Sequence, residues 1–332
     1  MKPFLKYPGG KSKEIPLVKK YMPKNINRYF EPFVGGGSIY LDLCIKDSFI
    51  NDFSTDLINV YKYIKEGNTQ FEECLKSFDK IWHLLDNYEF KENSLLEYSY
   101  FDIYTYNKHF NSSLKKKQKT IEKLTADGNI IDEKNFNDLV TTARKTSFYM
   151  LIRDLYNGIN TDVILKTACY YFIREYCYSS MFRFSSKGKF NVPYGGMSYN
   201  SKYLTTKIEY IFAPETQEYL RHTEIYNLDF EAFLNLFNMN DNDFIFLDPP
   251  YDSNFSTYDK NTFDKTEQIR LRNYLKSSKA KWMLIIKKTD FITDLYKDFY
   301  TYEYDMNYMV SFKNRNNRNV EHLLITNYSI EE

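Results

Sequence analysis

Residues 244–253 read FIFLDPPYDS, an apolar run closed by one acid, two prolines and a tyrosine. Pro250 removes an N–H and holds Pro249 to extended angles, which frees the Pro249 carbonyl from any strand ladder. Asp248 is then a second acceptor beside it, and Tyr251 offers a flat face. Two acceptors and a platform suit the edge and face of a planar, amino-substituted ring. The exocyclic nitrogen of such a ring is a poor nucleophile, because its lone pair is delocalised. Hydrogen bonds from its two N–H groups to Asp248 and the Pro249 carbonyl would draw it toward tetrahedral geometry. The lone pair would then be free for in-line attack on an activated methyl. Chemistry of this kind rests on positioning and electrostatic preorganisation. The plainer alternative is that the prolines only stop a strand.

Other stretches carry the same kind of double meaning. FVGGGS (33–38) is a glycine turn between a strand and a helix, but the third position of a dinucleotide fingerprint is Tyr40. YPGGKS (7–12) resembles a phosphate loop, yet the leading glycine of a Walker A motif is replaced by Leu5. What is left is backbone that a ligand can approach closely, or a simple turn. Asp52 ends a second strand, where an acid can accept both hydroxyls of a ribose or cap the next segment. Asp229 ends a third; it could accept an exocyclic amine while Phe230 lies on a purine face.

These residues need a sheet to bring them together. Strand-like runs at 27–33, 48–54, 223–230, 243–251 and 280–289 alternate with helical stretches, which predicts a mostly parallel α/β sheet. The close, YTYEYDMNYMVSF and VEHLLITNYS around the polar KNRNNRN, predicts an antiparallel terminal hairpin. Residues 59–175 have a helical rhythm broken by NSSLKKKQKT (111–120), which reads as a loop. A connection of that length is an inserted subdomain, not a linker. Its end, MFRFSSKGKFNVPYGG, carries a hairpin signal. The expected division is therefore a discontinuous catalytic domain (1–58 and 204–332) and a helical insertion (59–203) with a hairpin at about 178–197.

Composition narrows the function classes. With 332 residues, 43% of them hydrophobic, the chain can bury a large core. No apolar run approaches the roughly 20 residues that span a bilayer, and Pro-Gly-Gly interrupts the N-terminus where a signal sequence needs an apolar stretch. A cytoplasmic protein without membrane contact is the expectation. Cys44, Cys74, Cys169 and Cys177 form no CxxC pair, and the four histidines are scattered, so no metal site is expected. Net charge is +1, but residues 1–30 hold eight Lys/Arg against one acid, and residues 174–202 hold five against one. Two basic segments on a near-neutral chain suit a local polyanion-binding face, or merely solvated lysines.

Taken in order, these pieces resemble the Dam-type DNA adenine-N6 methyltransferases. FLKYPGGK (4–11), FEPFVGGGS (30–38), NDFSTDLINVY (51–61), DPPY (248–251), FRFSSKGKFNVPYG (182–195) and EHLLITNY (321–328) are similar to six motifs of that family. The resemblance implies a Rossmann-like methyltransferase sheet and S-adenosylmethionine as methyl donor. Tyr7, Lys11, Glu31, Phe33, Gly35, Asp52, Asp229, Phe230 and Asp248 match donor-binding positions. Asp248, Pro249, Pro250 and Tyr251 match the tetrad that grips a flipped-out adenine. Lys6 and Arg183 match residues that read guanine edges of double-stranded DNA, Tyr178 an intercalating aromatic, and Met181 and Pro193 apolar contacts beside it. A site containing GAT, such as GATC, is implied. So is an enzyme either solitary or paired with a restriction endonuclease. The chain departs from the family pattern at Ser179-Ser180 (usually Asn-Gly), at Ser185 (usually Asn) and at Lys287-Lys288 (usually Ser-Asn). Methylation of RNA or of a protein amide, and an inactive DNA-binding protein, are the competing readings.

Overall fold

Short, strongly apolar strands followed by polar or glycine-rich turns are what a sheet covered on both faces requires. The computed structural model describes residues 1–7, 9–87, 90–128, 130, 132–159, 161–250, 257–258, 261–307 and 319–330. Five parallel strands are β1 (Tyr29–Glu31), β2 (Ser48–Asn51), β3 (Thr223–Tyr226), β4 (Phe244–Leu247) and β7 (Lys281–Lys287). β8 (Tyr300–Asn307) and β9 (Asn319–Thr326) complete the sheet in the order β3-β2-β1-β4-β7-β9-β8, with β9 antiparallel to both β7 and β8. This is the expected mostly parallel sheet with an antiparallel end. Residues 308–318, which include most of the polar turn, lie outside the described residues. Two-residue strands β5 (Thr257–Tyr258) and β6 (Asn261–Thr262) form a separate antiparallel pair.

The strand order turns at β1 and β4: from β1 the chain proceeds to β2 and β3 on one side, and from β4 to β7 on the other. In open α/β sheets a ligand crevice lies beyond the carboxyl ends at such a switch point. β1 ends on Glu31 and β4 stops one residue before Asp248. The two strands are fixed to each other by register, Phe30 opposite Ile245, and by a bidentate Arg28–Asp243 pair at their amino ends. Phe30 is fully buried and stacks on Phe49 at 4.8 Å, and Trp282, Leu284 and Leu275 extend the same core.

The chain folds as two compact units, 1–65 with 215–332 and 66–214. Helices α1 (Ile15–Tyr21), α2 (Ser38–Leu43) and α3 (Thr55–Glu66) belong to the first segment, and α3 carries the chain from β2 to the change of unit at its last residue, 65/66 instead of 58/59. The return falls at 214/215, at the start of α9 (Pro214–Arg221), instead of 203/204, because α8 (Thr205–Ile211) packs on α4 (Thr69–Leu84) of the helical unit. Helices α4 (Thr69–Leu84), α5 (Ile103–Ala126), α6 (Glu133–Gly158) and α7 (Val163–Tyr176) form that unit. Each begins on an Asn or Asp whose side chain accepts a backbone N–H: Asn68, Asp102, Asp132 and Asp162. Trp82, Phe148, Phe172 and Tyr176 meet in its core. NSSLKKKQKT is not a loop; it lies in the middle of the 24-residue α5. Lys and Gln are strong helix formers, and the run winds round the helix, with Ser113 buried and most of its lysines on the outer face.

Candidate active site

Asp248 follows β4 directly, so the strand delivers its carboxylate to the carboxyl edge of the sheet. Lys11 reaches it from the N-terminal segment, Nζ to Oδ1 at 2.8 Å, with the Lys11 side chain 3% exposed and the Asp248 side chain 22%. The same ammonium donates to the Gly9 carbonyl at 2.9 Å. Burial holds the Asp248 carboxyl above its ordinary range, and the Lys11 charge and hydrogen bond oppose that rise. Glu14, also buried, is raised first by burial; Lys11 opposes the rise and Asp248 adds to it. One buried ammonium therefore serves two carboxylates.

Glu31 closes the adjacent strand. It is buried and accepts a 2.5 Å hydrogen bond from Tyr29 Oη. Burial pushes its carboxyl well above the usual range; the Tyr29 bond opposes this, and the charges of Asp248 and Asp52 add to it. After Glu31 the chain enters the glycine turn, with Gly35 and Gly37 at positive φ. A Cβ on Gly37 would stand 2.5 Å from Tyr61 Oη, and one on Gly36 would stand 2.9 Å from Tyr7 Cβ. These two glycines are required because other parts of the protein press on them. Asp52 secures the turn from β2: its Oδ2 accepts from Gly35 N at 3.0 Å and its Oδ1 from Ser54 N at 2.9 Å.

Asp229 caps α10 (Phe230–Leu234) by accepting from the backbone N–H of Glu231 and Ala232. Its Oδ2 pairs with Arg270 of α11 (Lys265–Ser277) at 2.5 Å, and Arg270 also bonds Glu267 at 2.6 Å. The Arg270 guanidinium lies 4.4 Å over the Phe230 ring. Phe230 is 4% exposed and touches Phe33 and Phe263 on its other sides. The open aromatic face expected at Phe230 is therefore covered, and Asp229 already holds a cation. The sequence carried no signal for this, because Arg270 lies forty residues away on an amphipathic helix.

A single cavity of about 730 Å³ gathers Tyr7, Lys11, Glu31, Phe33, Gly35, Asp52, Asp229, Phe230, Asp248, Pro249 and Pro250. Six acids line it (Glu31, Asp52, Asp229, Asp248, Asp264, Glu267) against two bases, Lys11 and Arg270. A surplus of carboxylates around a partly enclosed space favours a cationic occupant. Tyr251 lies outside the described residues. Sequence reading missed Glu14, Arg270 and Gln268. The fully buried Gln268 donates from Nε2 to the Pro250 carbonyl at 3.1 Å and so holds the end of the proline pair. Among the described residues, no group of three His, Cys, Asp or Glu could hold a metal ion.

In the helical unit the chain leaves α7 into the short hairpin that its sequence signalled, bridged at Cys177–Tyr194 and Phe184–Phe190. Gly188, at φ +70°, sits in the turn, and Ser185 N donates to Lys189 O at 2.8 Å. Arg183 is exposed, and its Nε donates to Asn191 Oδ1 at 2.9 Å. Tyr178 is 48% exposed, Pro193 is exposed and Met181 half-buried; Tyr178 N bonds Pro193 O. Ser179 and Ser180 both take positive φ, +50° and +53°. Below the hairpin, Glu175 is buried between Lys202 and Lys207, whose charges and hydrogen bonds outweigh burial and bring its pKa down to about 2. Lys6, in the other unit, is exposed.

Comparison with known proteins gives a consistent result. The family model of the D12 class N6 adenine-specific DNA methyltransferase matches residues 7–310. The type II methyltransferase M.CviBI of Paramecium bursaria Chlorella virus NC1A is 27% identical over 99% of this chain and 100% of its own length. M1.LlaDCHI of Lactococcus lactis subsp. cremoris, also a type II methyltransferase, is 28% identical over 99% of this chain and 96% of its own. The DNA adenine methylase of Escherichia coli K12 is 22% identical over 81% and 73%.

Proposed function

The chain belongs to the D12 class of N6 adenine-specific DNA methyltransferases, and from that premise we propose how its own residues perform the transfer. The cavity at the β1/β4 switch point is the methyl-donor site, and the donor is S-adenosylmethionine. That molecule supplies a methyl group made electrophilic by a sulfonium. The observation that carries this reading is the convergence of Lys11, Glu31, Asp52 and Asp248 on one acid-rich cavity. The lining suits the donor: its sulfonium and ammonium carry two positive charges, and its carboxylate needs a cation such as Lys11. Two backbone N–H bonds hold the Asp52 carboxylate in the cavity wall, where it would accept from the ribose hydroxyls. Phe33 and Phe263 supply an aromatic wall for a purine.

Asp248 and the Pro249 carbonyl take the two N–H bonds of the target amine, with Tyr251 as the stacking face. Lys11 holds the Asp248 carboxylate ionised against its burial. The adenine must leave the duplex stack, which costs a few kcal/mol; stacking worth about 1–3 kcal/mol offsets much of that. In the helical unit, the hairpin reads the target through Arg183, with Tyr178, Met181 and Pro193 beside it; Lys6 reads from the other unit. The type II relatives match over nearly their whole lengths, which supports pairing with an endonuclease of the same site, in the cytoplasm of a bacterial or phage-infected cell.

Expression in a methylation-free host, with modified adenines mapped by single-molecule sequencing, tests the reading and returns the recognition sequence. Labelled donor offered with duplex DNA, RNA and protein separates the alternatives. Asp248→Ala should abolish transfer and leave duplex binding intact. Wild-type turnover by that variant would overturn the amino-group mechanism.

A further inference from the structure

Helix α5 holds six lysines and one acid, Glu122, in 24 residues. Its inward side is marked by the buried Tyr106 and Ser113, and Lys117 on that side has its pKa lowered by burial. The other five lysines, Lys108, Lys115, Lys116, Lys119 and Lys123, are all exposed. At 100° per residue they fall within about a quarter of the helix circumference. Lys108 faces Asp154, whose carboxyl burial raises while His109, Arg153 and Lys108 together bring it below its ordinary range; Lys115, Lys116, Lys119 and Lys123 make no ion pair among the described residues. A shallow groove of about 420 Å³ runs along the start of this face, lined by Tyr104, Asn107, Lys108, Asn111, Ser112 and Lys115. Tyr104 stands 77% exposed at its end.

We propose that this face of α5 is a second nucleic-acid surface, which grips the phosphate backbone of duplex DNA without reading its sequence. It rests on the functional reading above, which makes DNA the polyanion at hand. Amide, hydroxyl and phenol groups beside the lysines can donate to phosphate oxygens, and flexible ammonium groups tolerate any base order. The chain as a whole carries a net charge of only +1, so overall charge cannot hold DNA; a local face must. Lys108 to Lys123 extend over roughly 22 Å at 1.5 Å per residue, enough for several phosphates in a row.

The test replaces the five lysines by glutamine, which preserves helix propensity, and measures binding to a random-sequence duplex by fluorescence anisotropy from about 0.05 to 0.3 M salt. Each phosphate contact contributes about 0.9 to the slope of log affinity against log salt. The slope should become shallower by about 2 or more, and affinity at 0.1 M salt should fall roughly tenfold or more. The five-arginine variant should keep the wild-type slope. Methyl transfer at saturating DNA should persist in the glutamine variant. Acetylation of the wild-type protein, read by mass spectrometry, should show these lysines protected by duplex, which stands even if the variant does not fold. A slope changed by less than about 2 with no protection would overturn the proposal. So would binding to phosphatidylserine vesicles while the DNA slope is unchanged. If the wild type bound duplex but transferred no methyl group, the functional reading would fail while this titration still decided the surface.

Discussion

Replacing Lys11 by methionine isolates what its ammonium does for Asp248. The pair is 2.8 Å apart, with Lys11 buried and Asp248 22% exposed. Breaking a buried pair by removing one partner costs about 3–5 kcal/mol, because the remaining charge is left uncompensated. The partial exposure of Asp248 puts the expected loss at the lower end, about 3 kcal/mol, read from urea unfolding. The catalytic consequence has a definite sign. Burial raises the Asp248 carboxyl, and the Lys11 charge and hydrogen bond oppose it. Without Lys11 only burial acts on it, so Asp248 takes up its proton at a higher pH. The target amine needs an ionised acceptor; activity is present above the pKa of Asp248 and lost as pH falls through it. The acid limb of the kcat profile, measured by single-turnover transfer at saturating labelled donor, should therefore move to higher pH. An unmoved acid limb, with stability lowered by less than about 1 kcal/mol, would refute the idea that Lys11 sets the charge of Asp248.

Three further outcomes follow from the geometry. Ser180 pays for its positive φ with roughly 1–2 kcal/mol of steric strain, so Ser180→Gly should raise the unfolding free energy by a net of about 1 kcal/mol after the entropy cost of glycine, read from urea unfolding; a decrease would mean that the Ser180 hydroxyl matters more than its backbone. Arg270→Ala uncovers Phe230 and adds a third ring to the wall of Phe33 and Phe263, which should lower the donor KM with kcat little changed; a higher KM would show that the purine stacks on Arg270 itself. Glu175 and Glu31 should act oppositely on stability. The Glu175 pKa is depressed to about 2, so its contribution is present above the unfolded value of about 4.5 and fades as pH falls toward 2. The Glu31 pKa is raised, so ionising it costs stability as pH climbs above the unfolded value. Urea titrations across pH should show Glu175→Gln flattening the acid side and Glu31→Gln gaining stability near neutrality.

Much of this protein was written along the chain. The alternation of apolar strands with helices fixes an α/β sheet, and the DPPY, glycine-turn and strand-end acids are local patterns whose spacing carries their chemistry. The hairpin of residues 182–190 is likewise local, since Gly188 and its neighbours dictate the turn. Tertiary structure decided what depends on distant partners. It paired Lys11 with Asp248, laid Arg270 over Phe230, buried Glu14 beside the same ammonium and brought Gln268 to the Pro250 carbonyl. It also turned a lysine-rich run that reads as a loop into the middle turns of α5. The reason is physical: periodicity and turn chemistry act between near neighbours, whereas burial and charge compensation are set by whichever groups the fold places within a few ångströms, however far apart they lie in sequence.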